Sequence, residues 1–173
     1  NEVNSNNTAN FAAPGTAVSG VPAGSGVMVN SNDQVEIFNN RIADNNTANI
    51  VISSYFSANY AGQQELAAEF DPYPEEILIY DNTFSGGGTN PGFDYLVQLR
   101  DAIYGVDGAF PDIIWDGIID PNKADEKQVI CVKNGNAQLL SVDAGNEFKG
   151  AGVDMQKHDC TVAKLAPIVF ADA

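Results

Sequence analysis

The chain has 173 residues, 44% of them hydrophobic, which is long and apolar enough to bury one proper core and excludes a disordered chain. Its formal net charge of −15 repels nucleic acid and anionic membrane surfaces and argues against both as partners. No run of about 18 apolar residues exists, so the sequence holds no membrane-spanning helix.

The chain opens on NEVNSNN, residues 1–7, in which Val3 stands among Asn residues. Residues 8–23 are rich in Ala, Gly and Pro and read as a loop. A strand follows in GVMV, residues 26–29. The next, VEIFNN at 35–40, alternates apolar and variable positions and ends on Asn39-Asn40. Such residues accept left-handed backbone geometry, so a sharp bend is expected there. After it NRIADNN (40–46) repeats the form of residues 1–7, which makes Val3 and Ile42 equivalent. NIVI at 49–52 then repeats GVMV at a distance of 23 residues, Val27 to Ile50.

Residues 56–75 form a second insertion. It holds AGQQELAAEF, a candidate short helix, and the Pro-broken DPYPEE. ILIYDN (77–82) is a second copy of VEIFNN, and NTFSGGG continues it, with Phe84 equivalent to Ile42. A third insertion, about 86–111, contains a helix expected over 90–105. Asn90 would cap it, Pro91 suits its first turn and Gly105 its exit, and Phe93, Leu96, Val97, Arg100, Ile103 and Tyr104 share one face. IIWDGII reads as a strand packed through Trp115 and its isoleucines. ICVKNG (130–135) is the third copy, with Cys131 in the slot of Glu36 and Leu78, off the core face.

VEIFNNRIADNN and EILIYDNTF resemble the repeats of right-handed parallel β-helix proteins, the pectate-lyase-like superfamily, and are most similar to secreted bacterial domains of unassigned reaction. The resemblance implies an all-β, right-handed parallel β-helix solenoid over residues 1–143, with inserted loops and one or two short helices. The tail, 144–173, would cap its last repeat. Asn ladders are implied at the bends, through Asn1, Asn40 and Asn82. Val35 over Ile77 and Ile37 over Ile79 would line a common core, with Phe38 over Tyr80 stacked outside it. Because the first repeat begins after its bend, an upstream segment, a second chain or an end-to-end copy is expected to cover that end.

Cys131 and Cys160 are expected to pair and pin the tail, a reactive thiol being the alternative. His158 is the single histidine, which excludes a His triad or multi-His metal site, and it is read as an exposed tail residue. Asp112, Asp116 and Asp120 are candidate Ca²⁺ ligands, weighed against acids that simply face water; no other cofactor is expected. Tyr55, Tyr60 and Tyr73 are candidate sugar-stacking residues, weighed against a covering role. DPYPEE lacks the His of the uronate-epimerase loops it resembles, and Arg41 and Arg100 fall in no lyase motif. The favoured function is a secreted, extracellular or periplasmic module that binds carbohydrate or serves a structural role without catalysis. The alternative is part of a polysaccharide lyase, hydrolase or epimerase.

Overall fold

The computed structural model describes residues 1–57, 66–123, 129–167 and 169. Its strands are β1 (Glu2–Asn4), β2 (Ser25–Asn30), β3 (Glu36–Phe38), β4 (Arg41–Ala43), β5 (Ala48–Ser53), β6 (Ile77–Tyr80), β7 (Thr83–Ser85), β8 (Ile113–Trp115), β9 (Ile130–Lys133), β10 (Leu139–Ser141) and β11 (Gly152–Val153). Helices α1 (Asp94–Tyr104) and α2 (Met155–His158) interrupt them. The strands form three sheets, ordered β1-β4-β7, β3-β6-β9 and β2-β5-β8-β10-β11. Among the described residues every strand pair is parallel except β10 with β11. Among the described residues no helix is long and apolar enough to cross a membrane.

The repeated stretches do pair in the register their pattern predicts. Val3, Ile42 and Phe84 align across β1-β4-β7, and Ile37, Ile79 and Val132 across β3-β6-β9. Val27 pairs with Ile50, and Phe38 stacks on Tyr80 at 4.9 Å. The side chains of one row are identical in kind, so the pleat sends them to the same face.

That alternation produces two apolar layers. Ile42, Ile50, Ile52, Ile77, Ile79, Ile113 and Leu139 meet in an interior faced by all three sheets. Between Ile50 and Ile52, Val51 points the other way, where it joins Ile114, Leu140, Leu96, Leu99 and Phe110. Strand β5 is therefore buried along its whole length. A strand covered on both faces reads as a continuous apolar run, as NIVI does.

This second layer corrects the expected all-β, right-handed parallel β-helix solenoid. The chain is mixed α/β: its three sheets do not close on one another, the five-stranded one carries the antiparallel β11, and α1 is a structural layer of its own. The physical reason lies in the third insertion, where Leu96 and Leu99 cover the outward face of β5 and β8. Helix α1 also starts later than expected. Phe93 rather than Asn90 precedes it, while Gly105 ends it with φ 83°. Arg100 is buried on it, donating to Thr89 O and Asp101 Oδ1, whereas Ile103 and Tyr104 stay partly exposed. Of the helix proposed within AGQQELAAEF, residues 61–65 lie outside the described residues, while 66–70 form a turn and not a helix, with Phe70 N donating to Ala67 O.

The tail returns through β11 and α2 to the disulfide between Cys131 and Cys160. Cys131 is fully buried beneath it, off the sheets' shared interior. His158 is not the exposed residue expected from sequence. It is buried, with Nδ1 2.8 Å from Ile130 O and its ring edge-on to Trp115. The disulfide two residues on holds α2 against β9, which forces the imidazole inward.

Candidate ligand cavity

Outward-facing Met28, Val51 and Ile114 make the floor of a cavity of about 390 Å³ on the five-stranded sheet. Leu96 and Tyr95 of α1 form one wall, and Val142, Ala144 and Phe148 another. Phe56 and Ser57, which follow β5, close a third side. The volume falls in the range of ligand pockets, about 300–1,000 Å³, and the walls are apolar with few polar groups, as such pockets are.

The rim is aromatic. Tyr95 stacks between Phe93 at 5.6 Å and Phe148 at 6.1 Å, yet remains 47% exposed. Phe148 is held there by a backbone in the left-handed region, with φ 64°, one of three such non-glycine residues between Asp143 and Phe148. A bulky side chain adopts that conformation only when its surroundings impose it. Here Phe148 N donates to Asp143 O, and Gly150 N to Asp143 Oδ2, which ties the loop closed.

The polar end of the cavity is Asp116. It follows β8 directly and is 5% exposed. Its Oδ2 accepts the Ser54 N–H and the Ser57 hydroxyl, both at 2.6 Å, and its Oδ1 accepts the Ile118 N–H at 3.0 Å. Among the described residues no Lys or Arg forms an ion pair with it. Three neutral donors thus satisfy the buried carboxyl group of the wall. Gly117 is required beside it. At φ 78°, an added Cβ would lie 2.6 Å from Ser141 Oγ.

The residues singled out from sequence are dispersed. Asp112 accepts from Asn49 Nδ2 at 3.0 Å, in a polar column that continues through Asn45. Burial pushes its carboxyl above the ordinary value, and the Asn49 bond partly offsets this. Asp120 accepts from Asn122 N and Nδ2. Among the described residues Asp112, Asp116 and Asp120 do not form a shared ligand set. Each is held in hydrogen bonds of its own, Asp112 by Asn49, Asp116 by Ser54, Ser57 and Ile118, and Asp120 by Asn122.

Tyr55 and Tyr73 belong to an aromatic cluster with Phe70 and Phe56, and of these Phe56 lines the cavity. Tyr60 lies outside the described residues. Asn1, Asn40 and Asn82 form the expected ladder, Asn1 Nδ2 to Asn40 Oδ1 at 2.9 Å and Asn40 Nδ2 to Asn82 Oδ1 at 3.1 Å. Asn82 Nδ2 extends it to Asn134 Oδ1. Sequence reasoning passed over Tyr95 and Phe148, which lie 53 positions apart and meet only because α1 and the 143–148 loop cover the same sheet.

No protein-family model matches the chain, and searches of curated proteins and of solved structures return no match, so the purpose of the cavity has to be read from its walls.

Proposed function

We propose that the chain is a non-catalytic module of an extracellular or periplasmic medium that binds carbohydrate in the cavity above the five-stranded sheet. One observation carries this reading: an aromatic rim, Phe56, Tyr95 and Phe148, faces a buried carboxylate that has no ion-pair partner among the described residues. A sugar ring presents an apolar C–H face and an edge of hydroxyl donors. Stacking suits the first, and the remaining acceptor capacity of Asp116 with the Ser57 oxygen suits the second. The disulfide fits an oxidising compartment.

Catalysis by the common glycosidase route needs two carboxylates, about 5–9.5 Å apart across the scissile bond. Asp116 is the one carboxylate among the described residues that line the cavity, so its walls support retention of a sugar better than cleavage. The test is a titration of the intact protein with neutral, amino and acidic oligosaccharides, followed by calorimetry and by chemical shifts of the Tyr95 and Phe148 rings. Saturable binding that Asp116→Asn and Tyr95→Ala weaken supports the proposal. Binding of an apolar amine but of no sugar overturns it, and release of reducing ends or unsaturated products from a bound polymer moves the reading to an enzyme.

A further inference from the structure

Away from the cavity, three carboxylates from two chain segments converge. Asp33 and Glu75 are bridge partners on parallel segments, with Gln34 N donating to Glu75 O and Glu75 N to Asn32 O. Asp71 enters from the preceding loop, where its Oδ1 accepts the Tyr73 N–H at 3.1 Å in an Asx turn. Pro72 O accepts from Tyr55 N and Ser31 Oγ and fixes that loop against the ends of β2 and β5. One carboxylate oxygen from each of Asp33, Asp71 and Glu75 lies within 4.8 Å of the others.

Lys123 reaches into this group, donating to Asp71 Oδ2 and, at 2.8 Å, to Glu75 Oε2. One ammonium against three carboxylates leaves an excess of negative charge. Asp33 registers it: burial first, then repulsion from Asp71 and Glu75, holds its carboxyl above the ordinary value. Glu75 adds an independent sign. It is 6% exposed, and its second oxygen, Oε1, is buried with no hydrogen-bond donor among the described residues. A buried charged oxygen left without a partner is costly, of order several kcal/mol. Proteins retain one where something else satisfies it.

We propose that Asp33, Asp71 and Glu75 bind a divalent cation, calcium by the chemistry of the set, with Lys123 as the positive group that the ion displaces. The donors are all carboxylate oxygens, which excludes the nitrogen and sulfur preferences of zinc and copper. Calcium accepts such sets in irregular geometry and completes its shell with water, whereas magnesium demands a near-ideal octahedron. The ion would supply the missing partner of Glu75 Oε1 and bring the cluster close to neutrality. It would also join the Asp71 loop to the Asp33–Glu75 bridge, so binding should stiffen the segment that carries Tyr73. This site is separate from the cavity and does not depend on what the cavity holds.

Calorimetry and thermal melts of the disulfide-intact chain, stripped with EDTA and titrated with CaCl₂ and separately MgCl₂, provide the test. The expected result is saturable calcium binding with Kd about 10⁻⁴–10⁻³ M, the range of extracellular modules, and weaker magnesium binding. Glu75→Gln and Asp33→Asn should each weaken calcium on the order of ten-fold, since affinity follows ligand charge. Lys123→Gln should tighten it, because the competing ammonium is gone. Asp33 is exposed, so its variant tests the site even where Glu75→Gln does not fold. No saturable binding up to about 10 mM calcium overturns the proposal. So does binding indifferent to both carboxylate variants, or a Lys123→Gln variant that binds calcium no more tightly.

Discussion

Ser57 and Asp116 are 59 positions apart, yet the Ser57 hydroxyl donates to Asp116 Oδ2 at 2.6 Å, on the same oxygen that accepts the Ser54 N–H. The turn after β5 is thereby tied to the turn after β8, and both line one end of the cavity. Asp116 is accordingly a structural acceptor and the charged group of the site at once. Asp116→Asn keeps one carbonyl oxygen but sets an amide donor against backbone N–H groups. Unfolding by urea should show a loss of about 1–3 kcal/mol. Ser57→Ala removes a single hydroxyl donor and should cost about 1 kcal/mol. If both variants lost equal stability, the carboxylate's two backbone donors would not be contributing.

The disulfide offers a second measurement. By loop entropy, a closed loop with a sequence separation of 29 contributes about 3–4 kcal/mol. A Cys131→Ser, Cys160→Ser double variant should lose this amount in chemical denaturation. Beyond Cys160 the described part of the tail is anchored by Lys164 over the Tyr80 ring at 3.9 Å and by Leu165 N on Glu36. The double variant should therefore be cleaved by protease in residues 161–167 well before the sheets are. Unchanged cleavage would mean that those anchors hold the tail by themselves.

How much of this was legible in the sequence follows from the range of each signal. The stacking of Val35, Ile37 and Phe38 positions on their copies could be read, because period-2 alternation and the bend residues are local and recur. The bend itself shows how narrow the signal is. Asn39 and Asp81 take the left-handed backbone, whereas in the third copy Asn134 fills the ladder one position earlier than Asn40 and Asn82, and Gly135 takes the left-handed backbone one position later than Asn39 and Asp81. The mixed α/β class was not legible, since nothing local says that Leu96 and Leu99 will cover Val51 and Ile114. The cavity was missed for the same reason, its aromatic rim being assembled across layers. Asp116 was singled out for its charge, but its three donors come from two separate turns.

The Asn ladder has a central residue, which makes it testable. Asn82 Nδ2 donates to Ile37 O at 2.8 Å and to Tyr80 O at 3.1 Å, and Asn82 Oδ1 accepts from Asn40 N and Nδ2. It is nearly buried, so water cannot replace these bonds. Asn82→Ala should cost about 2–3 kcal/mol by urea denaturation, more than one hydrogen bond because several groups lose their partner together. Asn40→Ala, at the half-exposed next rung, should cost less, about 1 kcal/mol. Equal losses at the two positions would show that burial does not set the strength of the ladder.

Acid should act on the Asp33, Asp71 and Glu75 cluster in two opposed ways. Burial is the largest influence on the Asp71 carboxyl and raises it, but the hydrogen bonds from Lys123 and the Tyr73 N–H, together with the Lys123 charge, outweigh it, and the folded value lies below the ordinary 3.8. Its stabilising contribution is therefore present above the unfolded value and lost as pH falls through the lower folded one. Asp33 runs the other way. With its folded value raised above 3.8, it destabilises the fold once pH rises past that range, and the loss is recovered on acidification. In EDTA, Asp33→Asn should thus raise Tm near pH 7, and the gain should vanish as pH drops toward about 3.5. With saturating calcium the sign should reverse near pH 7, because the variant then lacks a ligand. Melts of the two proteins between about pH 3.5 and 7, with and without the ion, read both effects; a Tm difference that does not change with pH would remove the repulsion argument for Asp33.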